Sequence, residues 1–451
     1  MKRVKLFPVP KQTLVCVLAS VGMITTIPAF AQTEIELLKK ELAEQKQLIQ
    51  SLLKAQESQK QINAKVEAQS AAGGKSATVG SETAIPGITF YGVGDVNVAR
   101  TNSGFGNKTS VGTGGMTATS IGVKGERDLG NGLKAVGELE AGVALDTGTV
   151  SNGAVTAGIN NTSPSNGAFV GTGSQIFARQ AYAGLSGRLG ALTFGRQYTG
   201  SYITAIVGSS MGVGFFGNGA TLLPLIGGLP TRVNNSIVYK TPTVNGFSGH
   251  ITYTTGSENN VSGTVAVGAT TTTDKAGRAW DATLFYRNGP INAALSSWNG
   301  DNTSFVTAGE TGLAKKAGWI AAVNYDFGVM RLYGTFASGT ISGGNYENVT
   351  KALSNASGAS VSASVPFGKS TVYVSYARMN DKSLLNKDGN LIGVAYTYQL
   401  YKNTHLYASW GRLSNNNSAT YSLADGGDLV GNVTTPGFDP SGAMAGINVR
   451  F

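Results

Sequence analysis

The stretch "ITFYGVGDVNV", residues 88–98, decides the fold. Ile88, Phe90, Val96 and Val98 alternate with Thr89, Tyr91, Asp95 and Asn97. Side chains of a strand point to opposite faces in turn, so this is a strand with one apolar and one polar face. The pattern recurs to the end of the chain. "GWIAAVNYDF" (318–327) puts Trp319, Ala321, Val323, Tyr325 and Phe327 on one face and Asn324 and Asp326 on the other. "LIGVAYTYQL" (391–400) lines up Ile392, Val394, Tyr396, Tyr398 and Leu400, and the last stretch, "MAGINVRF" (444–451), alternates Ala445, Ile447, Val449 and Phe451 with Asn448 and Arg450.

Strands are expected at 88–99, 117–125, 133–143, 176–186, 191–198, 233–241, 247–255, 279–287, 291–298, 318–326, 330–338, 359–365, 371–379, 391–400, 404–412 and 443–451. Tight turns such as "ERDLGNG" (126–132), "RNGP" (287–290) and "VPFGKS" (365–370) join them on one side. Long segments rich in Gly, Ser, Asn and Thr join them on the other. A soluble β-sandwich also alternates, but it rarely keeps sixteen long strands with every short turn on one side. A closed antiparallel barrel in an outer membrane satisfies every backbone group without an edge and places aromatic residues at its two interfaces. The expected fold is therefore an all-β transmembrane barrel of sixteen antiparallel strands over 88–451.

The rest of the composition agrees. The chain has 451 residues, 63 glycines, 13% charged residues and a formal net charge of +10. Residues 1–31 read as a signal peptide: a basic "MKRVKLFPVPK", an apolar "TLVCVLASVGMITTI" and a small-residue "AFA" before the cleavage point. The only cysteine, Cys16, lies in it. Residues 32–70 read as a periplasmic coiled-coil helix, with Ile35, Leu38, Leu42, Ile49, Leu52 and Val66 on its seam and polar residues at the intervening steps. Such a helix needs partners to be stable. Residues 71–87 are a flexible linker of small residues. The coil and linker are charge-balanced, so the mature positive excess belongs to the barrel.

The segments "IGVKGERDLGNGLKAVGELE" (121–140), "ARQAYAGLSGRLGALTFGRQY" (178–198) and the terminal Phe451 resemble the Gram-negative general porins of the neisserial and β-proteobacterial type. The similarity runs over essentially all of 88–451. It implies a trimer whose third long loop folds into the lumen and narrows it, and it makes Phe451 the signal read by the outer-membrane assembly machinery. The added N-terminal coil departs from that pattern. A three-stranded coil suits a trimer, and peptidoglycan is the other contact open to it.

By this resemblance residues 199–231 are the constriction loop. They contain no Asp, Glu, Lys or Arg, although porins of this type often carry acids there. Phe215, Phe216, Leu222, Leu223, Leu225 and Ile226 stand instead, either packing the loop on the wall or forming an apolar constriction. The loop's "GVGFFGNG" (212–219) has the glycine spacing of a dinucleotide fingerprint. It lacks the following helix and the acid about 20 residues on that such a site requires, so its glycines are read as bends and close approaches to the wall.

Strand parity points Lys124, Lys134, Glu138 and Glu140 into the lumen. Arg179 matches a pore-lining arginine of the family, and Arg196 ends a strand with ambiguous parity. With a neutral loop and basic wall residues, a weak anion preference is expected. Glu138 and Glu140 share one strand face and cannot readily flank a substrate bond, and His250 and His405 are single. No catalytic residue, metal or other cofactor is therefore expected. The expected partners are outer-membrane lipids, further copies of the chain, the assembly machinery, and small hydrophilic solutes and ions; nucleic acid is not among them. A passive channel is the leading function. The alternatives are a channel specific for organic anions and a structural anchor to the cell wall.

Overall fold

The computed structural model describes residues 86–151, 176–223, 226, 231–256, 265–267, 270–272, 278–301, 306–307, 315–342, 355–425 and 433–451. The signal peptide, the coil with its seam and nearly all of the linker lie outside these residues, as does Leu225. The main sheet has 18 strands. Asn107–Thr113 and Thr149–Ser151 are short extensions of loops, which leaves sixteen in the wall.

We number the wall strands β1 (Ile88–Asn102), β2 (Ser120–Gly130), β3 (Leu133–Ala144), β4 (Gln180–Gly187), β5 (Gly190–Tyr198), β6 (Arg232–Lys240), β7 (Phe247–Thr254) and β8 (Ala279–Asn288). They continue as β9 (Ile291–Asp301), β10 (Lys315–Asp326), β11 (Arg331–Ser342), β12 (Asn355–Phe367), β13 (Ser370–Asp381), β14 (Gly389–Tyr401), β15 (Thr404–Asn415) and β16 (Ser441–Arg450). Each pairs antiparallel with its sequence neighbour. The sheet closes where β1 pairs β16, from Val93 opposite Arg450 to Asn102 opposite Ser441. Closure leaves no edge strand, as a lipid-embedded sheet requires.

Every expected strand exists; most run on by a few residues beyond the apolar belt, while those expected from 117 and 176 start later, at Ser120 and Gln180. The alternation sorts as expected: Val361, Val394 and Leu295 on the outward face are about half exposed, whereas Ser362, Ala395 and Ser296 on the inward face are buried. Outward aromatic residues form two belts. Phe247, Tyr325, Phe327 and Phe367 stand near the short turns, while Tyr253, Trp280, Trp319, Tyr376 and Trp410 stand farther up the strands. Among the described residues no helix is long and apolar enough to cross a membrane; the strands are the spans.

Inside the barrel, the loop after β5 opens with helix α1 (Gly200–Val207). Thr199 caps it by accepting from the Tyr202 N–H. The loop crosses the lumen against β8–β16. Wall side chains hold its backbone in sequence: Asn324 Nδ2 donates to Val207 O at 2.8 Å, Thr335 Oγ1 to Gly208 O at 3.1 Å, and the Ser210 N–H to Ser362 Oγ at 3.0 Å. The segment 416–425 after β15 also turns inward, with Ala419, Tyr421 and Leu423 in the cluster of buried residues. Its Tyr421 is fully buried and donates to Lys387 O at 2.6 Å.

Candidate functional site: the constriction

The constriction forms where the loop faces the wall of β1–β6. Its attachment begins at Asp281 on β8, which accepts from the Gly200 N–H at 3.0 Å, from the Ser201 N–H at 3.1 Å and from the Ser201 hydroxyl. A carboxylate at a helix N-terminus satisfies donors the helix cannot and complements its dipole. The loop tip is pinned on the far side. Phe215 N–H donates to Gly115 O at 2.6 Å, and its ring lies edge-on to Tyr407 at 5.8 Å. Tyr407 in turn donates to the buried Asp95, which also accepts from Asn448 and from the Met116 and Thr117 amides.

Three of the glycines of 212–219, Gly214, Gly217 and Gly219, are explained by contact, and Gly212 by its φ of +61°. Gly217 has φ +85°, and a Cβ there would lie 2.2 Å from the Gly393 Cα of β14. Here loop and wall backbones touch, which only glycine permits. The apolar loop residues pack in the same way. Phe215, Phe216, Leu222, Leu223 and Ile226 are all at most 3% exposed, in one cluster with Met379, Leu391, Leu413 and Tyr421. Of the two readings open to them, burial favours packing over an apolar constriction. The partly exposed edge of the loop includes Ile203, Ile206 and Val207 on α1 and Val213.

Across from that edge, the inward faces of β1–β3 bring the expected charges together. Glu138 lies 3.6 Å from Lys124 and accepts from Tyr182 at 2.8 Å. The Tyr91 hydroxyl stands between the two acids, 2.5 Å from Glu138 and 2.7 Å from Glu140. The Lys124 ammonium sits over the Tyr91 ring at 4.6 Å. Glu140 is paired with Arg179. Lys134 pairs with Glu126 at 2.5 Å, near the short-turn mouth and away from this cluster.

Two arginines depart from the sequence reading. Arg196 pairs with Ala181 across β4–β5, but it sits where the β5–β6 register shifts between Gly195 and Gln197, so the alternation of Leu192 and Phe194 does not carry through to it. It is 9% exposed and donates to Ala178 O and Asn234 Oδ1, both at 2.6 Å. It is thus not an exposed turn residue but is buried close to Arg232 and Tyr198. Arg232, which sequence reasoning passed over, lies close by and is buried as well. Its guanidinium stacks on the Tyr198 ring at 4.2 Å and donates to the Tyr198 hydroxyl, to which Arg179 also donates at 2.9 Å. Tyr198 stacks on Tyr202 of α1 at 5.3 Å, so the arginine pair reaches the loop through two rings. Burial, then the Tyr198 hydroxyl, raises the Tyr202 phenol above its usual value, so it stays neutral. The signal for Arg232 was weak, because it follows the unbroken uncharged loop. Among the described residues no group of His, Cys, Asp or Glu is placed to hold a metal ion.

A closed sixteen-stranded barrel with an apolar outer face, a polar lumen and a loop folded across it is an outer-membrane channel. The chain belongs to the Gram-negative porin family, whose sequence pattern matches residues 66–418. It is 28% identical over 393 residues to outer membrane porin protein 32 of Delftia acidovorans, covering 83% of this chain and 97% of the relative. It is 29% identical over 313 residues to an outer membrane porin protein of Bordetella pertussis, covering 64% of this chain and 74% of that relative. In structure it is similar to the anion-selective porin from Comamonas acidovorans (TM-score 0.65, 23% identity, 81% of this chain and 99% of that one). It is also similar to OmpT of Vibrio cholerae (TM-score 0.55, 13% identity, 81% and 97%). The protein is an outer-membrane porin.

Proposed function

We propose that this porin is a trimeric passive channel for small hydrophilic solutes with a preference for anions. The charge balance at the constriction carries the reading. The loop contributes no charge, and Glu138 and Glu140 are each matched by a cation and by tyrosine hydroxyls. Arg232 stands beside Arg179 on the shared Tyr198 hydroxyl, so Lys124, Arg179 and Arg232 gather opposite a loop that carries no charge. In a narrow passage walled by low-dielectric material, cations facing an uncharged loop concentrate anions. The similar Comamonas acidovorans porin is described as anion-selective, which supports the same preference here.

The trimer reading is supported by a gap in the upper aromatic belt. The outward faces of β16, β1, β2, β3 and β4 carry Ala443, Val98, Ile121, Leu139 and Ala181, and no exposed ring stands on these strands above Phe90. Small aliphatic surface without interfacial aromatics suits contact with protein better than with headgroups. A three-stranded coil over 32–70 would reinforce the same assembly.

The test is the reversal potential of the purified protein in a planar bilayer under a tenfold KCl gradient. Chloride is expected to exceed potassium in permeability. The double variant Arg179→Gln/Arg232→Gln leaves Glu140 unmatched, so the ratio should fall by at least about threefold. Cation preference in the unmodified protein would refute the reading. The apolar edge of Ile203, Ile206, Val207 and Val213 favours a second one, a channel that holds organic anions. Block of the chloride current by benzoate would support it, and undiminished current would dismiss it.

A further inference from the structure

A cleft opens beside the start of α1, at the long-loop ends of β6–β10. It takes up about 370 Å³, part of it open to solvent. In outer-membrane barrels the longer loops are extracellular, so the cleft belongs to the outer half of the barrel. Val233, Ala279 and Trp298 make its apolar wall, and Thr252, Asp281 and Lys316 stand among them. Arg179 and Arg232 of the constriction do not line it.

Two of these polar groups are left over by the protein. Lys316 shares the inward face of β10 with the buried Ile320, opposite the outward Trp319, and is itself partly buried. It is in no ion pair among the described residues. Thr252 is 2% exposed, and its hydroxyl has no hydrogen-bond partner among the described residues. A buried hydroxyl left unpaired is costly, so it marks a place for a partner. The two carboxylates at the cleft serve neither group. Asp281 is taken up by the Gly200 and Ser201 amides and the Ser201 hydroxyl. Asp301 continues the outward alternation of Leu295, Ser297 and Asn299. Thr252 on β7 and Lys316 on β10 stand three strand spacings apart, roughly 14 Å at the backbone. The lysine chain covers part of that span, and the apolar wall lies along the rest.

We propose that this cleft binds a monocarboxylate that carries a hydroxyl at the far end of a short apolar body. The carboxylate meets the Lys316 ammonium, the body lies on Val233, Ala279 and Trp298, and the hydroxyl pairs with that of Thr252. Phosphate or sulfate would leave the apolar wall unused, and a second carboxylate would bring its charge toward Asp281. The inference rests on the organic-anion reading above and gives it a site outside the arginine pair.

The test is isothermal titration calorimetry of the purified full-length protein in detergent, with 4-hydroxybenzoate and with benzoate. Both are expected to give saturable heat, and 4-hydroxybenzoate should bind about fivefold tighter, the worth of one hydrogen bond between neutral groups. Thr252→Val keeps the shape of the side chain and should erase that difference while leaving benzoate unchanged. Lys316→Gln should weaken both ligands about tenfold, because the lost partner is charged. An unchanged melting midpoint by circular dichroism shows that each variant is folded. Arg179→Gln in the constriction should leave both affinities in place. Absence of saturable heat would overturn the proposal, as would a preference for 4-hydroxybenzoate that survives Thr252→Val. Affinities that fall with Arg179→Gln and not with Lys316→Gln would also overturn it, by placing the ligand in the constriction. Benzoate block of the current without any preference for 4-hydroxybenzoate would keep the organic-anion reading and remove this site from it.

Discussion

Gly217→Val is expected to lift the tip of the constriction loop off the barrel wall while the barrel stays folded. A Cβ at this position would meet the Gly393 Cα at 2.2 Å and the Ile392 carbonyl oxygen at 2.5 Å. Both are backbone atoms of β14 and cannot swing aside. The φ of +85° adds a second obstacle, because a β-branched residue is a genuine outlier there. Overpacking together with backbone strain costs about 3 kcal/mol or more. The loop can relieve this by giving up its contacts near Gly217, including the Phe216 N–H bond to Ser409 Oγ at 3.2 Å. The wall has no such freedom, because its ladder of strand pairs is closed. Single-channel recordings should therefore show altered conductance and added current noise, while the melting midpoint of the barrel by circular dichroism stays put. A quiet channel of unchanged conductance would show that the tip contact is not what holds the loop.

Asp281→Ala should free the other end of the loop. The substitution leaves the Gly200 and Ser201 amides and the Ser201 hydroxyl without their acceptor in a buried site. Stranding buried donors and losing a charged partner at a helix start costs about 3 kcal/mol. Asp281→Asn keeps one acceptor oxygen and should lose about half as much. The readout is the voltage at which the channel begins to close, with alanine shifted further than asparagine. Identical closing voltages for the two variants and the unmodified protein would mean that Thr204, bonded to Ser296 at 2.5 Å, and the later wall contacts suffice to seat α1.

The two variants act at sites that differ in how openly the sequence announced them. The glycines of 212–219 were visible, and so was the need for a close approach. Which wall residues they approach was not, because Gly393 and Gly411 are far away in the chain. Asp281 read as one more polar residue on the inward face of β8. Nothing local marked it as the acceptor for a helix 80 residues earlier. Glu138, Glu140, Lys124 and Arg179 were legible because strand parity and family resemblance point inward. Arg196 could not be given a face from the sequence because the strand register shifts at its position. Arg232 was missed because it stands just past a loop with no charge of its own. The inward fold of 416–425, with Tyr421 in it, left no periodic trace at all.

Strand number, strand order, the face each strand turns to lipid and the neutrality of the constriction loop can all be read along the chain. These are local properties: alternation, turn chemistry and the presence or absence of a charge need only neighbouring residues. Which charges meet, which apolar loop residues are buried and where the loop is fastened became visible only in three dimensions. Those outcomes depend on closure of β1 on β16 and on a loop crossing the lumen. Both bring together side chains that are tens to hundreds of residues apart, as Asp95 and Asn448 are. No pattern along the chain encodes such a meeting, because its energy exists only once the barrel has closed.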